Sequence, residues 1–284
     1  MYQQEIENWR TQRLGRLTAT DGWLTLVGLY WLEAGENRFG RGTGNDIVME
    51  YPGLPEQVGM FTLHGKRIVF HAAADSGVIS GGVPVTELEL RSGAQEETTI
   101  LQLGTISFQL IQLADRFGIR IRDSAAPART HFKGLQYFAI EPRWRLEARF
   151  EIYSPLRQLA IVNVLGIEEQ MDSPGALVFD VDGQTHRLDV VLETGVTDYF
   201  VIFADRTNGK QTYGAGRFLY VHPPVDGKTV LDFNKAYNPP CVFSQFTACP
   251  LPPNQNRLPI EVTAGELKYA GSDSWREPGM PLLR

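Results

Sequence analysis

The sequence predicts a mainly β protein opened by one helix, with an N-terminal β-sandwich followed by a C-terminal antiparallel β-domain, barrel-like or an open meander. Three observations carry that reading. Apolar residues alternate with polar ones at a period of two. Asx-Gly pairs fall between β-rich runs, and no helical pattern alternates with the strands as a parallel α/β sheet requires.

The helix comes first. Between Glu5 and Thr18, Ile6, Trp9, Leu14 and Leu17 recur at helical spacing with charges between them, which predicts one amphipathic helix. The period then changes. Ile106, Phe108 and Leu110 alternate with Ser107 and Gln109, and Ile119 and Ile121 alternate with Arg120 and Arg122. Trp144, Leu146, Ala148, Phe150 and Ile152 alternate with Arg143, Arg145, Glu147, Arg149 and Glu151, the signature of a strand with one buried and one wet face. Asp182-Gly183, Asn208-Gly209 and Asp226-Gly227 supply the positive φ that two-residue hairpins need, so a meander of hairpins is expected there. The small, Pro-containing run from Ser124 to Arg129 marks a boundary. The expected division is a helix and lead-in strand over 1–35, a sandwich over 36–125 and an antiparallel domain over 126–284.

Composition bounds the function. The chain has 284 residues, 43% hydrophobic and 11% aromatic, enough to bury a core. Its 27 Lys and Arg against 33 Asp and Glu leave a formal charge of −6, which argues against a sequence-independent grip on nucleic acid or anionic lipid. The first residues lack a basic run leading into an apolar one, so no secretory signal is read. The longest apolar stretch, Trp23 to Leu32, falls far short of the roughly 20 residues that cross a bilayer. Two cysteines fit a reducing compartment. The expectation is a soluble cytoplasmic protein with no nucleic-acid or membrane partner; the sequence names no cofactor and no oligomeric state.

The run from Phe39 to Val48, with Gly40-Arg41 followed by Asn45-Asp46-Ile47, resembles the opening of forkhead-associated β-sandwich domains. Ile79 to Val83 and Leu103 to Phe108 follow in similar order, so the resemblance covers residues 36–112. It implies the fold without the phosphothreonine binding of that family. The family's Ser-x-x-His segment corresponds to Val58-Gly59-Met60-Phe61, and the Asn of its Asn-Gly turn is replaced in Gly81-Gly82. A phosphate needs several converging donors, and most are missing here.

Unusual residues crowd into Asp205–Tyr220, Leu231–Cys241 and Cys249–Leu258. With Gly22–Leu32, these segments resemble the uncharacterised bacterial and archaeal family called domain of unknown function 1684. That resemblance transfers no activity, cofactor or substrate.

The residues themselves suggest an anion pocket. Arg217 follows Gly214-Ala215-Gly216, where backbone can approach a ligand closely while the guanidinium supplies a fork of donors. Arg120 and Arg122, which share a strand face, Lys235 and Arg257 would add charge, and Tyr213 and Asn234 would add polar contacts. Asp205 and Asp232 are the candidate general acid or base, and Cys241 the candidate nucleophile if His222 is brought across to serve it. Asn238, before two prolines, reads as a turn residue. Five histidines without paired spacing, and Cys241 and Cys249 with seven residues between them, argue against a metal site. Three readings stay open: an acid/base enzyme acting on a small anionic substrate, a non-catalytic ligand-binding or interaction module, and a structural role in which the stretch stitches two β-domains together with its arginines ion-paired across their interface.

Overall fold

In the computed structural model, which describes residues 1–92 and 98–270, Tyr2–Thr18 forms helix α1 as its periodicity predicts. Ile6 and Leu17 are buried, but Leu14 is 39% exposed and Arg13 takes the buried position beside it. Helical spacing suits either residue. Arg13 turns inward because Glu266 and the Asn238 carbonyl meet its guanidinium at 2.9 and 3.0 Å.

The chain forms two compact units, one of residues 18–132 and one made of residues 1–17 with the chain from 133 onward. The helix thus belongs with the second unit. The lead-in strand belongs with the first. Residues 271–284 of the expected C-terminal domain lie outside the described residues.

The first unit is a β-sandwich. Its strands are β1 (Leu26–Trp31), β2 (Gly35–Gly40), β3 (Ile47–Val48), β4 (Gly59–His64), β5 (Arg67–Ala72), β6 (Ile79–Ser80), β7 (Val83–Pro84), β8 (Glu87–Glu89), β9 (Ile100–Leu103), β10 (Ile106–Leu113) and β11 (Arg116–Asp123). One sheet runs β1-β11-β10-β9-β6-β7 and the other β3-β2-β4-β5-β8. Pairing is antiparallel except for the short β2–β3 pair. The predicted alternation holds, since Ile106, Phe108, Leu110, Ile119 and Ile121 all face the core between the sheets. There Phe39 of one sheet meets Phe108 of the other edge to face at 5.3 Å. Each such phenylalanine contributes about 1.5–3 kcal/mol by burial.

In the second unit, β12 (Arg145–Val162), β13 (Glu168–Val181), β14 (Gln184–Val190) and β17 (Lys228–Asp232) form a sheet of order β14-β13-β12-β17, while β15 (Tyr199–Phe203) and β16 (Arg217–Val221) pair with each other. The β12 alternation is as predicted up to Phe150 and then inverts. Ile152 is 72% exposed and Tyr153 is buried, at the start of a register shift against β13 that spans Pro155. A one-residue slip swaps the faces, and proline in a strand favours such a break.

The hairpin expectation holds at two of the three Asx-Gly pairs. Asp182 and Gly183 have φ of 48° and 77° and join β13 to β14. Asp226 and Gly227 also make a two-residue turn with positive φ, closed by reciprocal Val225–Lys228 backbone bonds of 2.9 and 3.0 Å, after which β17 pairs with β12 and not with β16. Asn208-Gly209 joins no strands. The Asn208 amide accepts from the Asp205 N–H at 2.5 Å and donates to the Tyr213 carbonyl at 2.6 Å, stapling a compact turn instead.

Candidate functional site

The dense stretch from Asp205 onward builds first of all a buried polar framework. Arg217, fully buried at the start of β16, donates from Nη2 to Asp205 Oδ2 at 2.6 Å and to the Val262 carbonyl at 2.9 Å, and from Nη1 to the Ala264 carbonyl. Burial draws its pKa down and the Asp205 carboxylate opposes that. The other oxygen of Asp205 accepts from the Thr207 N–H and hydroxyl at 2.7 and 2.6 Å and from the Val262 N–H at 3.3 Å. Its acceptor sites are thus occupied and its side chain is buried, which leaves no position for a substrate proton.

Gly216 differs from its sequence reading in the same way. With φ of 100°, it brings backbone against protein and not against a ligand, because a Cβ there would overlap the Pro252 ring and lie 2.6 Å from the Phe203 carbonyl oxygen. Arg217 therefore locks the 262–264 loop onto β16.

The other predicted residues divide between structural roles and the surface. Asp232 accepts from the Tyr2 hydroxyl at 2.8 Å and caps the following turn through the Asn234 N–H at 3.1 Å. Asn234 itself bonds both the N–H and the carbonyl of Glu141, at 3.1 and 3.0 Å, tying the turn ahead of β12 to the end of β17. Lys235 pairs with Glu5 of α1 at 2.5 Å, and Arg257, exposed, reaches the Pro252 carbonyl at 3.4 Å. Tyr213 is buried, and its carbonyl receives the Asn208 amide. Asn238 has a structural role, its N–H donating to Glu266 at 2.8 Å. Cys241 lies beside Cys249, whose Sγ accepts the Cys241 N–H at 3.1 Å. His222 instead faces Asp198 at 2.6 Å.

Arg120 and Arg122 belong to the sandwich unit and share one strand face as predicted, both standing over the Trp23 ring at 5.4 and 5.6 Å. Arg122 also donates to the Gly22 carbonyl at 2.9 Å. Arg217 and Lys235 belong to the other unit. Among the described residues no group of three or more potential ligands could hold a metal, and no helix is long and apolar enough to cross a membrane.

A cavity of about 480 Å³ opens in the second unit, on the outer side of this framework. Arg143 and Trp144 line it from the turn before β12, Asp182 from the β13–β14 hairpin, Arg206 from the residue after Asp205, and Glu261 and Thr263 from the loop that Arg217 holds. The Arg206 N–H donates to the Ile260 carbonyl at 2.9 Å, fixing two walls relative to each other. Trp144 is buried, packing edge to face on Phe233 at 5.9 Å, and its indole Nε1 has no hydrogen-bond partner. A buried donor left unsatisfied costs about 1–3 kcal/mol. The Arg143 guanidinium lies over that indole at 5.1 Å and is held by Glu141 at 2.6 Å. Glu261 is balanced in part by Lys210 at 3.8 Å.

The sequence reading assigned Arg143 to a wet strand face, Trp144 to a buried one and Arg206 to no role. The signal available was the adjacency of an inward and an outward residue at each place, Trp144 beside Arg143 and Asp205 beside Arg206.

A second cluster forms around Glu193, which the sequence reading did not single out. The Tyr220 hydroxyl donates to the half-buried carboxylate of Glu193, and Tyr220 stacks on Phe200 at 5.1 Å and on Tyr237 at 6.3 Å. Burial raises the Glu193 carboxyl above its ordinary 4.5, with the Tyr220 hydrogen bond opposing. A raised folded-state value means the native protein holds this proton more tightly than the unfolded chain does. The associated stability is complete below pH 4.5 and is lost as pH climbs through the folded-state value. Glu193→Gln should therefore flatten the fall in stability between pH 4.5 and neutrality, which thermal denaturation across that range reads. Equal slopes in the two proteins would refute the assignment.

Residues 130–267 match the family model described as a protein of unknown function, DUF1684. Among solved structures, the uncharacterized protein from gene locus rrnAC0354 of Haloarcula marismortui is 34% identical, over 49% of this chain and 78% of that chain, with a TM-score of 0.42. A chain from a study of phosphothreonine-dependent FHA domain interactions is 19% identical, over 34% of this chain and 96% of its own, with a TM-score of 0.24. No curated protein matches the chain.

Proposed function

Since the chain belongs to the DUF1684 family, whose description names no activity, the function has to be sought in the site, and we propose that the second unit binds a small anionic molecule in the cavity walled by Arg143, Trp144 and Arg206. The observation that carries this reading is a cavity lined by two arginines, Arg143 and Arg206, beside Trp144. Carboxylates and phosphates accept from such a set in charge-assisted bonds. Asp182 and Glu261 on the same walls suit hydroxyl or ammonium groups elsewhere on the ligand.

Asp205 and Asp232, the carboxylates considered for acid/base work, are engaged in internal hydrogen bonds, so acid/base chemistry in this cavity would fall to its own carboxylates, Asp182 and Glu261. The paucity of cysteines fits a reducing compartment, so the ligand to seek is a cytoplasmic metabolite.

A thermal-shift titration with inorganic phosphate, citrate and glycerol phosphate tests the proposal. A ligand present at about 100 times its Kd stabilises the native state by about 2.7 kcal/mol, which for a unit of this size raises Tm by several degrees. Arg143→Ala and Arg206→Ala should each reduce that rise at least several-fold. No rise with any of these anions, or an undiminished rise in the double variant, would refute the site.

A further inference from the structure

The loop between β17 and the end of the described chain carries two thiols that neither the cavity nor the buried framework uses. Cys241 lies in a 3-10 turn, Pro240–Val242, and is partly exposed; Cys249 is buried. Cys249 Sγ accepts the Cys241 N–H at 3.1 Å, and each thiol lies within hydrogen-bonding reach of the other. With an N–Cα bond of about 1.46 Å, that contact puts Cys249 Sγ within roughly 4.6 Å of the Cys241 Cα. A bridge there needs a change of side-chain rotamer and no long backbone excursion.

Each cysteine is held by a different part of the fold. The Cys241 turn is closed by Val242 N–H to Pro239 and Phe243 N–H to Pro240 bonds of 3.0 and 2.9 Å. The Cys249 segment runs along the end of β12: Val164 N–H donates to the Cys249 carbonyl at 2.9 Å, Asn163 bridges to Pro250, and Leu251 N–H donates to Val162 at 2.8 Å. The Cys249 segment is thus anchored on β12, and the Cys241 turn follows Asn238, whose N–H and side-chain amide donate to Glu266 and to the Leu267 carbonyl, each at 2.8 Å.

We propose that Cys241 and Cys249 form a peroxide-reactive dithiol, a modification site at which hydrogen peroxide closes a reversible intramolecular disulfide. Cys241, the more accessible, supplies the attacking thiolate. Its sulfur bonds to one peroxide oxygen, the O–O bond breaks, and the departing hydroxide takes up a proton as water, leaving a sulfenic acid. Cys249 Sγ then attacks Cys241 Sγ, the S–O bond breaks, and the leaving oxygen takes the proton of the Cys249 thiol as a second water. Two thiols lose two electrons in all and one peroxide is reduced to two waters. A dithiol reductant reverses the change by thiol–disulfide exchange. Burial pushes the Cys249 thiol up and keeps it protonated, so Cys249 is not the thiol that meets peroxide first, and its role as resolving partner rests on its contact with Cys241.

The test treats the whole native protein with hydrogen peroxide and follows it by intact mass, thiol titration and non-reducing peptide mapping. The expected result is a loss of two mass units, a fall from two titratable thiols to none, and a linked pair of peptides carrying Cys241 and Cys249, all undone by dithiothreitol. In Cys249→Ser, dimedone should label Cys241, and in Cys241→Ser, Cys249 should stay unlabelled. Thiols that survive peroxide, a gain of oxygen on Cys241 without a bridge, linkage between two chains, or faster labelling of Cys249 would each overturn the proposal.

Discussion

Replacing Arg217 by Met is expected to cost about 3–5 kcal/mol of stability, because it leaves the Asp205 carboxylate buried without its counter-charge. The side chain is entirely enclosed, so neither water nor a neighbouring cation replaces the lost guanidinium. Three bonds disappear together, to Asp205 and to the Val262 and Ala264 carbonyls. The double variant Arg217→Met with Asp205→Leu should recover part of the loss, since it removes both charges. Urea denaturation of the two variants and the parent measures this directly. A loss below about 1 kcal/mol for the single variant, the range of exposed pairs, would contradict the buried-pair assignment. Because the same guanidinium holds the loop that carries Glu261 and Thr263, any variant that still folds should also lose the proposed anion response.

The second large effect is expected at Gly216. Alanine there meets a φ of 100° and the Pro252 ring at once. Backbone strain of roughly 1–3 kcal/mol and displacement of packed neighbours of roughly 1–3 kcal/mol fall on one residue. Gly214 provides the contrast. A Cβ at Gly214 finds nothing nearer than 3.8 Å, so Gly214→Ala should change stability by less than about 1 kcal/mol. If the two alanine variants unfold at the same urea concentration, the close approach at Gly216 is not what constrains it. The glycines of this segment would then return to the role of admitting a ligand.

Local physics was legible in the sequence and distant partners were not. The alternations at 106–110 and 119–121 report a buried face because neighbouring positions on a strand point opposite ways whatever the strand pairs with. The inversion at Ile152 escapes that logic, since it is set by the register against β13. Helical spacing could not choose between Arg13 and Leu14, because the choice belongs to Glu266, 253 residues further on. Asp226-Gly227 makes the expected turn, yet a turn signal does not say which sheet receives the next strand.

The candidate site divides along the same line. Density of glycine, proline, carboxylate and guanidinium pointed to a site in the stretch from Asp205 onward, where the structure spends Asp205 and Arg217 on a buried ion pair. Whether a guanidinium there faces inward or outward depends on residues far along the chain. Arg217 points in because Asp205 and the 262–264 carbonyls meet it, and Arg206, the neighbour of that same Asp205, points out to line the cavity. Trp144 was legible as buried from its period, but the lack of a partner for its indole N–H can be seen only in three dimensions.

That indole offers the most direct measurement. In ¹⁵N-labelled protein the Trp144 Nε1–H gives its own cross-peak, assigned by its loss in Trp144→Phe, and can be followed during titration with inorganic phosphate, citrate and glycerol phosphate. The predicted result is a saturable shift of this peak with at least one anion, absent in the Arg143→Ala, Arg206→Ala double variant. A Trp144 resonance that stays in place while other resonances report saturable binding would contradict the assignment of the cavity as the anion site.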